Sequence, residues 1–178
     1  ELARVLARQG PRALTYRFLF LDGEEALLWG WNDAEMRGQP KDHTYGSRHH
    51  AAELKRTGAA ARVRACVLLD MVGDMDLRFF RDRYSDRRLL DIVSRAAHEL
   101  GLGTHVDGRA EEVLDDHLSF LDVGIPSVDL IDLDYGPGNS YWHTPNDTLV
   151  HCSRESLDAT GRIVLAVLPE IEKSFHRR

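Results

Sequence analysis

Three nearly continuous apolar stretches, far apart in the chain, restrict the possible fold more than any other feature. They occupy residues 14–21, 63–69 and 127–133. Apolar runs of this length without helical spacing are typical of strands that are buried on both faces. Stretches with helical spacing lie between and after them, and this alternation indicates an α/β fold. We therefore expect a mainly parallel (mixed) sheet with helices on both faces.

The helical stretches have recognisable ends. They cover residues 45–57, 85–100 and 153–175. Gly58 and Gly101 follow the first two, and glycine commonly ends a helix because it adopts left-handed backbone angles without strain. Ser85 and Ser153 are suitable N-caps for the second and third helices. These signals predict three helices that alternate with the strands.

The chain begins inside another helical pattern. Leu2, Val5 and Leu6 have helical spacing, yet neither a start methionine nor a capping residue precedes them. We therefore expect residues 1–178 to form one catalytic-type α/β domain that lacks its N-terminal portion. Any signal peptide would belong to that absent portion.

Composition argues against several classes of function. Lys and Arg total 23 against 29 Asp and Glu, which gives a formal charge of −6 and a pI near 5.8. A negative chain without a dense basic patch is unsuited to nucleic acid or to an anionic membrane surface. No apolar run approaches the ~20 residues that a membrane-spanning helix needs. Cys66 and Cys152 are too few for a disulfide framework, so the compartment stays open.

Acidic residues and a histidine follow the three predicted strands. In chain order they are Glu24 and Glu25, then Asp70, then Asp132, Asp134 and His143. Ligands of open α/β sheets bind at the carboxyl ends of the strands, so we expect these side chains to converge on one edge. Carboxylates and imidazole suit zinc, and a catalytic zinc site uses three protein ligands and one open position. Of the two adjacent glutamates, one can bind the metal while the other transfers protons.

Most of the acidic and histidine positions also have a structural explanation. Glu24 and Glu25 at the start of a helix would be favoured by the helix dipole alone. The aspartates at 115–116 could serve only as an N-cap, and His143 lies in a turn-forming sequence. Asp70 is harder to explain in this way, because a carboxylate inside an apolar run needs a partner, a metal or a raised pKa.

Three tryptophans and three further histidines are ambiguous. The tryptophans are Trp29, Trp31 and Trp142. They could be core aromatics, or they could form pocket walls, because they are close in sequence to the glutamate pair and to the last histidine. We expect the further histidines at solvated positions without a metal role; these are His43, His49 and His50.

Five short motifs occur together in one order. They lie at 22–26, 45–49, 69–73, 115–121 and 142–144, with Gly124, Ile125, Pro126 and Asp147 near the last two. In this combination the chain resembles the glutaminyl-peptide cyclotransferases, which share a fold with zinc aminopeptidases. The resemblance runs from about residue 14 to the C-terminus. It implies a three-layer, zinc-aminopeptidase-like sandwich, of which this chain would be the C-terminal part.

The resemblance implies roles for particular residues. Glu24 would be the proton shuttle, and Glu25 and His143 would be zinc ligands. Asp70 and Asp115 would belong to an acidic hydrogen-bond network behind the shuttle. In the two-metal aminopeptidases, the position of Asp70 instead binds a second zinc ion.

Two departures from the family pattern concern the metal and the pocket. The remaining metal ligands of the family come from a segment before residue 14, and no residue of this chain matches them. Trp142 would line the substrate pocket, but the family's other pocket tryptophan falls at Gly30, between Trp29 and Trp31. We therefore expect either neighbouring tryptophan to complete the wall.

The distance between two motifs favours one branch of the superfamily. Gly46 follows Glu25 by 21 positions, whereas aminopeptidases usually reach this glycine within a few residues. We therefore expect a cyclotransferase with one zinc ion, acting on peptides with a free N-terminus.

The alternatives are a zinc aminopeptidase with two metal ions and a non-catalytic binding domain of the same fold. Secretion or a periplasmic location is an expectation from the resemblance alone. The sequence does not predict the oligomeric state.

Overall fold

The structure is a computed structural model that describes residues 1–10, 12–31 and 33–175. Its helices are α1 Leu2–Arg8, α2 Asp33–Met36, α3 Tyr45–Arg56, α4 Arg87–Glu99, α5 His117–Leu121 and α6 Arg154–Phe175. Its strands are β1 Cys66–Asp70, β2 Arg81–Asp82, β3 Ala110–Glu111 and β4 Ser127–Ile131. The predicted domain 1–178 includes residues 11, 32 and 176–178, which lie outside the described residues, and the single domain stays a prediction.

The central ladder consists of β1 and β4, which run parallel. Its register pairs Cys66 with Ser127 and Asp70 with Ile131. The strands predicted at 63–69 and 127–133 are thus confirmed, although β1 begins three residues later and includes the aspartate. The short strands β2 and β3 form a second parallel pair.

The strand predicted at 14–21 is wrong. No strand is assigned there, and among the described residues no backbone hydrogen bond from another segment reaches it. Phe20 is 96% exposed, and Phe18 and Leu19 are also exposed. The N–H and C=O groups of a strand must pair with those of a neighbouring strand. An apolar segment without such a neighbour therefore does not form a strand.

Helices cover both faces of the β1–β4 ladder, as predicted. Because side chains alternate along a strand, Val128 and Leu130 of β4 face one side, where they pack with α4 and α6. Asp129 lies at the alternate position of β4 and is fully buried on the other side. There, Phe120 of α5 and Ala51 of α3 belong to a smaller apolar cluster. The ladder therefore separates an apolar face from a face with buried polar groups.

Two of the helix-boundary predictions can be compared with the cap geometry. Ser153 caps α6 as predicted, because its hydroxyl accepts the N–H of Ser156 at 3.0 Å. The cap of α4 is Asp86 rather than Ser85, since the Asp86 carboxylate accepts the N–H of Arg88 at 2.9 Å. Within the described part of the chain, no helix is both long and apolar enough to cross a bilayer.

Candidate active site

The segment that carries the glutamate pair docks onto the first turn of α3. The carbonyls of residues 22–24 accept the N–H groups of residues 44–46 at 2.7–3.0 Å, which satisfies donors that a helix start otherwise leaves unpaired. Gly46 permits this approach, because a Cβ there would lie 2.6 Å from the carbonyl oxygen of Asp22. Glu24 is thus held through its backbone carbonyl, so its side chain is not needed to dock the segment onto α3.

The helix-dipole explanation for the glutamate pair is therefore wrong. No helix begins at Glu24 or Glu25; both lie in an irregular stretch between α1 and α2. The dipole of α3 instead meets the carbonyl oxygens of this stretch, which are the groups expected at a helix N-terminus. Packing against α3 thus explains the backbone path but gives no structural reason for two adjacent carboxylates.

A cavity of ≈ 320 Å³ brings most of the predicted site residues together. Its lining includes Glu24, Glu25, Asp70, Trp142 and His143, and also Met71, Gly73, Asp74, Tyr135, Asp147 and Cys152. The convergence expected for the ends of parallel strands is present, since Asp70 ends β1 and the histidine loop follows β4.

The glutamate and the histidine proposed as metal ligands are in direct contact. Nε2 of His143 lies 2.7 Å from Oε1 of Glu25, although the two side chains come from segments more than a hundred residues apart. His143 has a φ of 55° and Met71 has a φ of 50°, a left-handed conformation that non-glycine residues rarely adopt. Such strain tends to occur at functional sites, where the surroundings hold it in place.

Glu24 has the environment of a carboxyl group that binds a proton near neutral pH. Burial, and then the negative charges of Asp115, Glu25 and Asp70, together raise its pKa to about 8. Burial also raises the pKa of Asp70, against a backbone hydrogen bond from Met71 that lowers it. A carboxyl group with such a pKa can both accept a proton from a reacting group and return it near neutral pH.

A buried acidic cluster lies behind the glutamate. Asp115 is 5% exposed, and its pKa is raised to about 7, chiefly by burial and then by its acidic neighbours. Asp116 precedes α5, but its side chain makes no cap hydrogen bond. The N-cap explanation for this aspartate pair is therefore wrong. The backbone N–H of Asp116 donates to Asp115 Oδ1 at 2.5 Å.

The same cluster contains a histidine that the sequence did not single out. His117 of α5 is fully buried, with Nε2 3.0 Å from Asp82 Oδ2 and Nδ1 3.6 Å from Asp129 Oδ2. Asp82 also accepts the hydroxyl hydrogen bond of Ser85 at 2.6 Å. The side of the ladder that faces α5 thus buries ionisable side chains next to one another.

The three tryptophans have different positions. Trp142 lines the cavity and stacks on His143, with the ring centroids 4.0 Å apart. Trp29 lies under the guanidinium of Arg37, and Trp31 lies against His43. Neither of these two rings is part of the described cavity lining, so their contribution to a pocket wall stays a prediction.

Several other acidic and histidine residues lie elsewhere. Asp132 is buried and accepts the N–H of Arg78 at 2.6 Å, so it organises backbone. Asp134 pairs with Arg109 at 2.6 Å. Both follow β4, but neither lines the cavity, because one points into the loop backbone and the other to solvent. His43 is buried, so the prediction that it occupies a solvated position is wrong.

The donor set fits zinc only in part. Glu25 and His143 offer a carboxylate oxygen and an imidazole nitrogen at adjacent positions, which are donors that zinc prefers. Within residues 1–10, 12–31 and 33–175, no group of three or more potential ligands has metal-binding geometry. Glu25 and His143 therefore offer only two of the three protein donors that a catalytic zinc site uses.

The chain is similar to known proteins over most of its length. The sequence profile of peptidase family M28 matches residues 1–168. The chain belongs to peptidase family M28. A glutaminyl-peptide cyclotransferase-like protein of Mus musculus is 33% identical over 192 residues, which cover 95% of this chain and 45% of that protein. A glutaminyl-peptide cyclotransferase of Drosophila melanogaster is 32% identical over 83% of this chain and 45% of its own length.

Solved structures similar to this M28 chain include cyclases and exopeptidases. A glutaminyl cyclase from an Acidobacteriales bacterium has 37% identity and a TM-score of 0.80, over 87% of this chain and 52% of that one. A Zn-dependent exopeptidase from Parabacteroides distasonis has 28% identity and a TM-score of 0.62, over 78% and 48%. These matches confirm the expected fold. The chain spans about half the length of the relatives it matches.

Proposed function

We propose that this M28 chain carries the site of a zinc-dependent glutaminyl-peptide cyclotransferase. The reaction converts an N-terminal glutamine to pyroglutamate and releases ammonia. The contact of 2.7 Å between Glu25 and His143, in a cavity that Glu24 also lines, carries the proposal. The named relatives support cyclisation as the reaction, since this cavity alone is compatible with several reactions.

Glu25 and His143 would hold the zinc ion, with further ligands from groups outside the described set. When bound, zinc acts as a Lewis acid that polarises a carbonyl oxygen and stabilises the charge developing on it. The side chain of Glu25 is 55% exposed and that of His143 is 46% exposed, so both can reach a ligand in the cavity.

Glu24 would move the protons of the reaction. The α-amine of the substrate attacks its own γ-carbonyl carbon, a new N–C bond forms, and the bond to the side-chain amide nitrogen breaks. Glu24 takes the proton that the attacking amine loses and returns one to the departing nitrogen, which leaves as ammonia. A raised pKa lets one carboxyl group serve as base and then as acid.

Asp70 and Asp115 would set the protonation of Glu24 rather than touch the substrate. Their negative charges are among the causes that raise its pKa. Trp142 would form an apolar wall beside the reacting group. A pocket that holds the glutamine folded on itself contributes through proximity, because the nucleophile and the carbonyl belong to one molecule.

The competing function is a zinc aminopeptidase. The exopeptidase among the similar structures supports it, and so does the chemistry, since Glu24 could equally deprotonate a water molecule that cleaves an N-terminal peptide bond. In that case Asp70 would bind a second zinc ion.

The product separates these possibilities. We would incubate the full-length protein with zinc and a peptide that begins with glutamine, and determine the product mass and the ammonia released. Cyclisation predicts loss of ammonia with every other residue retained. Release of a free amino acid would refute cyclisation and support the aminopeptidase. No change in a correctly folded protein would refute both and support a binding domain.

Metal content gives an independent measurement. One zinc ion per chain of the full-length protein agrees with the cyclotransferase, and two agree with the aminopeptidase. The Glu24→Gln variant is the matched control, because it keeps the shape of the side chain but cannot transfer the proton. It should bind the same amount of zinc as the wild type.

A further inference from the structure

Besides the contact of His143 with Glu25, the loop that carries the predicted zinc-binding histidine has one further long-range side-chain contact. The hydroxyl of Tyr135 donates to Oδ1 of Asp147 at 2.8 Å and joins two residues that are twelve positions apart. Among the described residues, every other hydrogen bond of segment 136–147 joins residues at most six positions apart. His143 lies between the two ends that this bond connects.

Apart from this bond and the contact of His143 with Glu25, little holds the outer part of the loop. All residues from 142 to 150 are exposed, so burial contributes little to the order of the part that contains His143. His143 is also in the left-handed region with a φ of 55°, which costs a non-glycine residue about 1 kcal/mol or more. A strained residue in an exposed loop needs contacts elsewhere that fix the backbone.

Tyr135 is built to provide those contacts. It is 7% exposed, its N–H donates to Asn139 Oδ1 at 3.1 Å, and its carbonyl accepts the N–H of Tyr141 at 3.2 Å. The Tyr141 ring meets it edge to face at 5.4 Å and then stacks on His151 at 3.7 Å. Burial and the bond to Asp147 raise the pKa of Tyr135 to about 12, so its hydroxyl remains a donor at neutral pH.

We propose that Tyr135 and Asp147 are positioning residues that close the loop and hold His143 opposite Glu25. The proposal rests on the proposed role of His143 as a zinc ligand. Groups that orient a metal ligand typically change metal affinity by about 10- to 100-fold when they are removed. The Tyr135 hydroxyl therefore affects zinc binding through His143 without touching the ion.

The test uses Tyr135→Phe in the full-length protein, because this change removes one oxygen and keeps the ring. Tyr84→Phe is the matched control; its hydroxyl donates to Glu112 at 3.0 Å outside the cavity. Zinc affinity is measured by competition with a chromophoric chelator. We expect the dissociation constant to rise about tenfold in Tyr135→Phe and to stay unchanged in the control.

Amide hydrogen exchange of the zinc-free protein gives a readout that needs neither metal nor activity. The N–H groups of Tyr141, Thr144 and Asp147 donate within the loop, so we expect their exchange to become faster in Tyr135→Phe. Exchange in β1 and β4 should not change. Faster exchange throughout the protein would overturn the proposal, because it would indicate a general packing role.

Substitutions of the acceptor complete the test. Asp147→Ala should match Tyr135→Phe, and the double variant should be no worse than either single one, since all remove the same bond. Asp147→Asn keeps an acceptor oxygen and should recover most of the zinc affinity. Additive losses, or a rise in KM alone with unchanged zinc affinity, would overturn the proposal.

These outcomes are separable from the proposed function. A protein that binds zinc and responds to Tyr135→Phe as expected, but releases no ammonia, refutes the cyclotransferase and supports the loop closure. Ammonia release that continues with unchanged zinc affinity and loop exchange in Tyr135→Phe refutes the closure and supports the cyclotransferase.

Discussion

The two faces of the β1–β4 ladder are made by the same strands but bury different groups. Toward α4 and α6, Val128 and Leu130 join a large apolar cluster that includes Leu89 and Ile163. Asp129 of β4 points the other way, toward α5, where it is fully buried beside His117. Alternation along a strand thus lets one ladder stabilise the fold on one face and carry ionisable groups on the other.

The acidic face lowers stability where the apolar face raises it. Burial raises the pKa of Asp70, Asp115 and Asp129, and each shift means that the charged form is disfavoured in the folded protein. Cores normally avoid such groups. Their concentration behind Glu24 is the physical reason to assign chemistry to this face and packing to the other.

The largest effect on stability should come from the apolar face. Ile163 is fully buried, so Ile163→Ala should lower the free energy of unfolding by ~2–5 kcal/mol through lost burial and a cavity. Leu157→Ala is the control on the same helix, because Leu157 is 53% exposed, and it should cost far less. Denaturant unfolding of both variants measures the difference. Equal losses would contradict the distinction between the two faces.

A smaller effect on the free energy of unfolding should come from the acidic face, where removal of a side-chain charge should raise stability. The pKa of Asp115 is about 7 in the folded protein against an ordinary 3.8, so the folded state holds more protons between these values. Stability should therefore fall as pH rises from about 4 to about 7. Asp115→Asn removes the carboxylate and should be more stable than the wild type at about pH 8, by ~1–3 kcal/mol.

Thermal unfolding with a chelator present checks this pH dependence without interference from metal. Asp122→Asn, at an exposed position, is the control and should follow the wild type. A wild-type protein that becomes more stable between about pH 4 and about pH 7 would contradict a raised pKa of Asp115 in the folded state.

The smallest effect should come from the loop beside the glutamate pair. The Asp42 carboxylate accepts the N–H of Trp29 at 2.7 Å and that of Leu28, as well as the Tyr45 hydroxyl at 2.5 Å. In Asp42→Asn, only one side-chain oxygen remains to accept these bonds. We expect faster amide exchange at Leu28 and Trp29 with little change in global unfolding. Unchanged exchange would show that the loop is held by other contacts.

Lowering the pH should likewise make amide exchange at Leu28 and Trp29 faster. Hydrogen bonding, first from Tyr45 and then from the backbone, lowers the pKa of Asp42 against the effect of burial. Its contribution is therefore present above the ordinary value of 3.8 and is lost as pH falls through the lower folded value.

Local patterns predicted the fold well wherever neighbouring elements agreed with them. The β1 and β4 runs, the long helices and the Ser153 cap follow from apolar spacing and capping chemistry. The failure at 14–21 has a physical cause, because apolar spacing does not indicate whether a partner strand is present. The cap of α4 was predicted one residue too early, because Ser85 and Asp86 are both suitable N-cap residues.

The site was predictable to the extent that it follows strand ends. Glu24, Glu25, Asp70 and His143 line one cavity. Asp70 and His143 follow parallel strands as expected, whereas the strand predicted before Glu24 does not form. His117 was missed because its burial between two aspartates is a tertiary property, although its place directly after two acidic residues was a usable signal. The hydrogen bond between Tyr135 and Asp147 depends on loop geometry, which the sequence does not encode locally.

The proposed function requires proton transfer by Glu24, whose carboxyl group is not expected to stabilise the fold because its pKa is raised to about 8. The most direct test measures ammonia release from an N-terminal glutaminyl peptide by the zinc-loaded full-length protein and by Glu24→Gln, with thermal unfolding of both. We predict that Glu24→Gln unfolds at the same or a higher temperature and that its kcat falls by about 10²- to 10⁴-fold. A stable Glu24→Gln variant that keeps the wild-type rate of ammonia release would contradict the account.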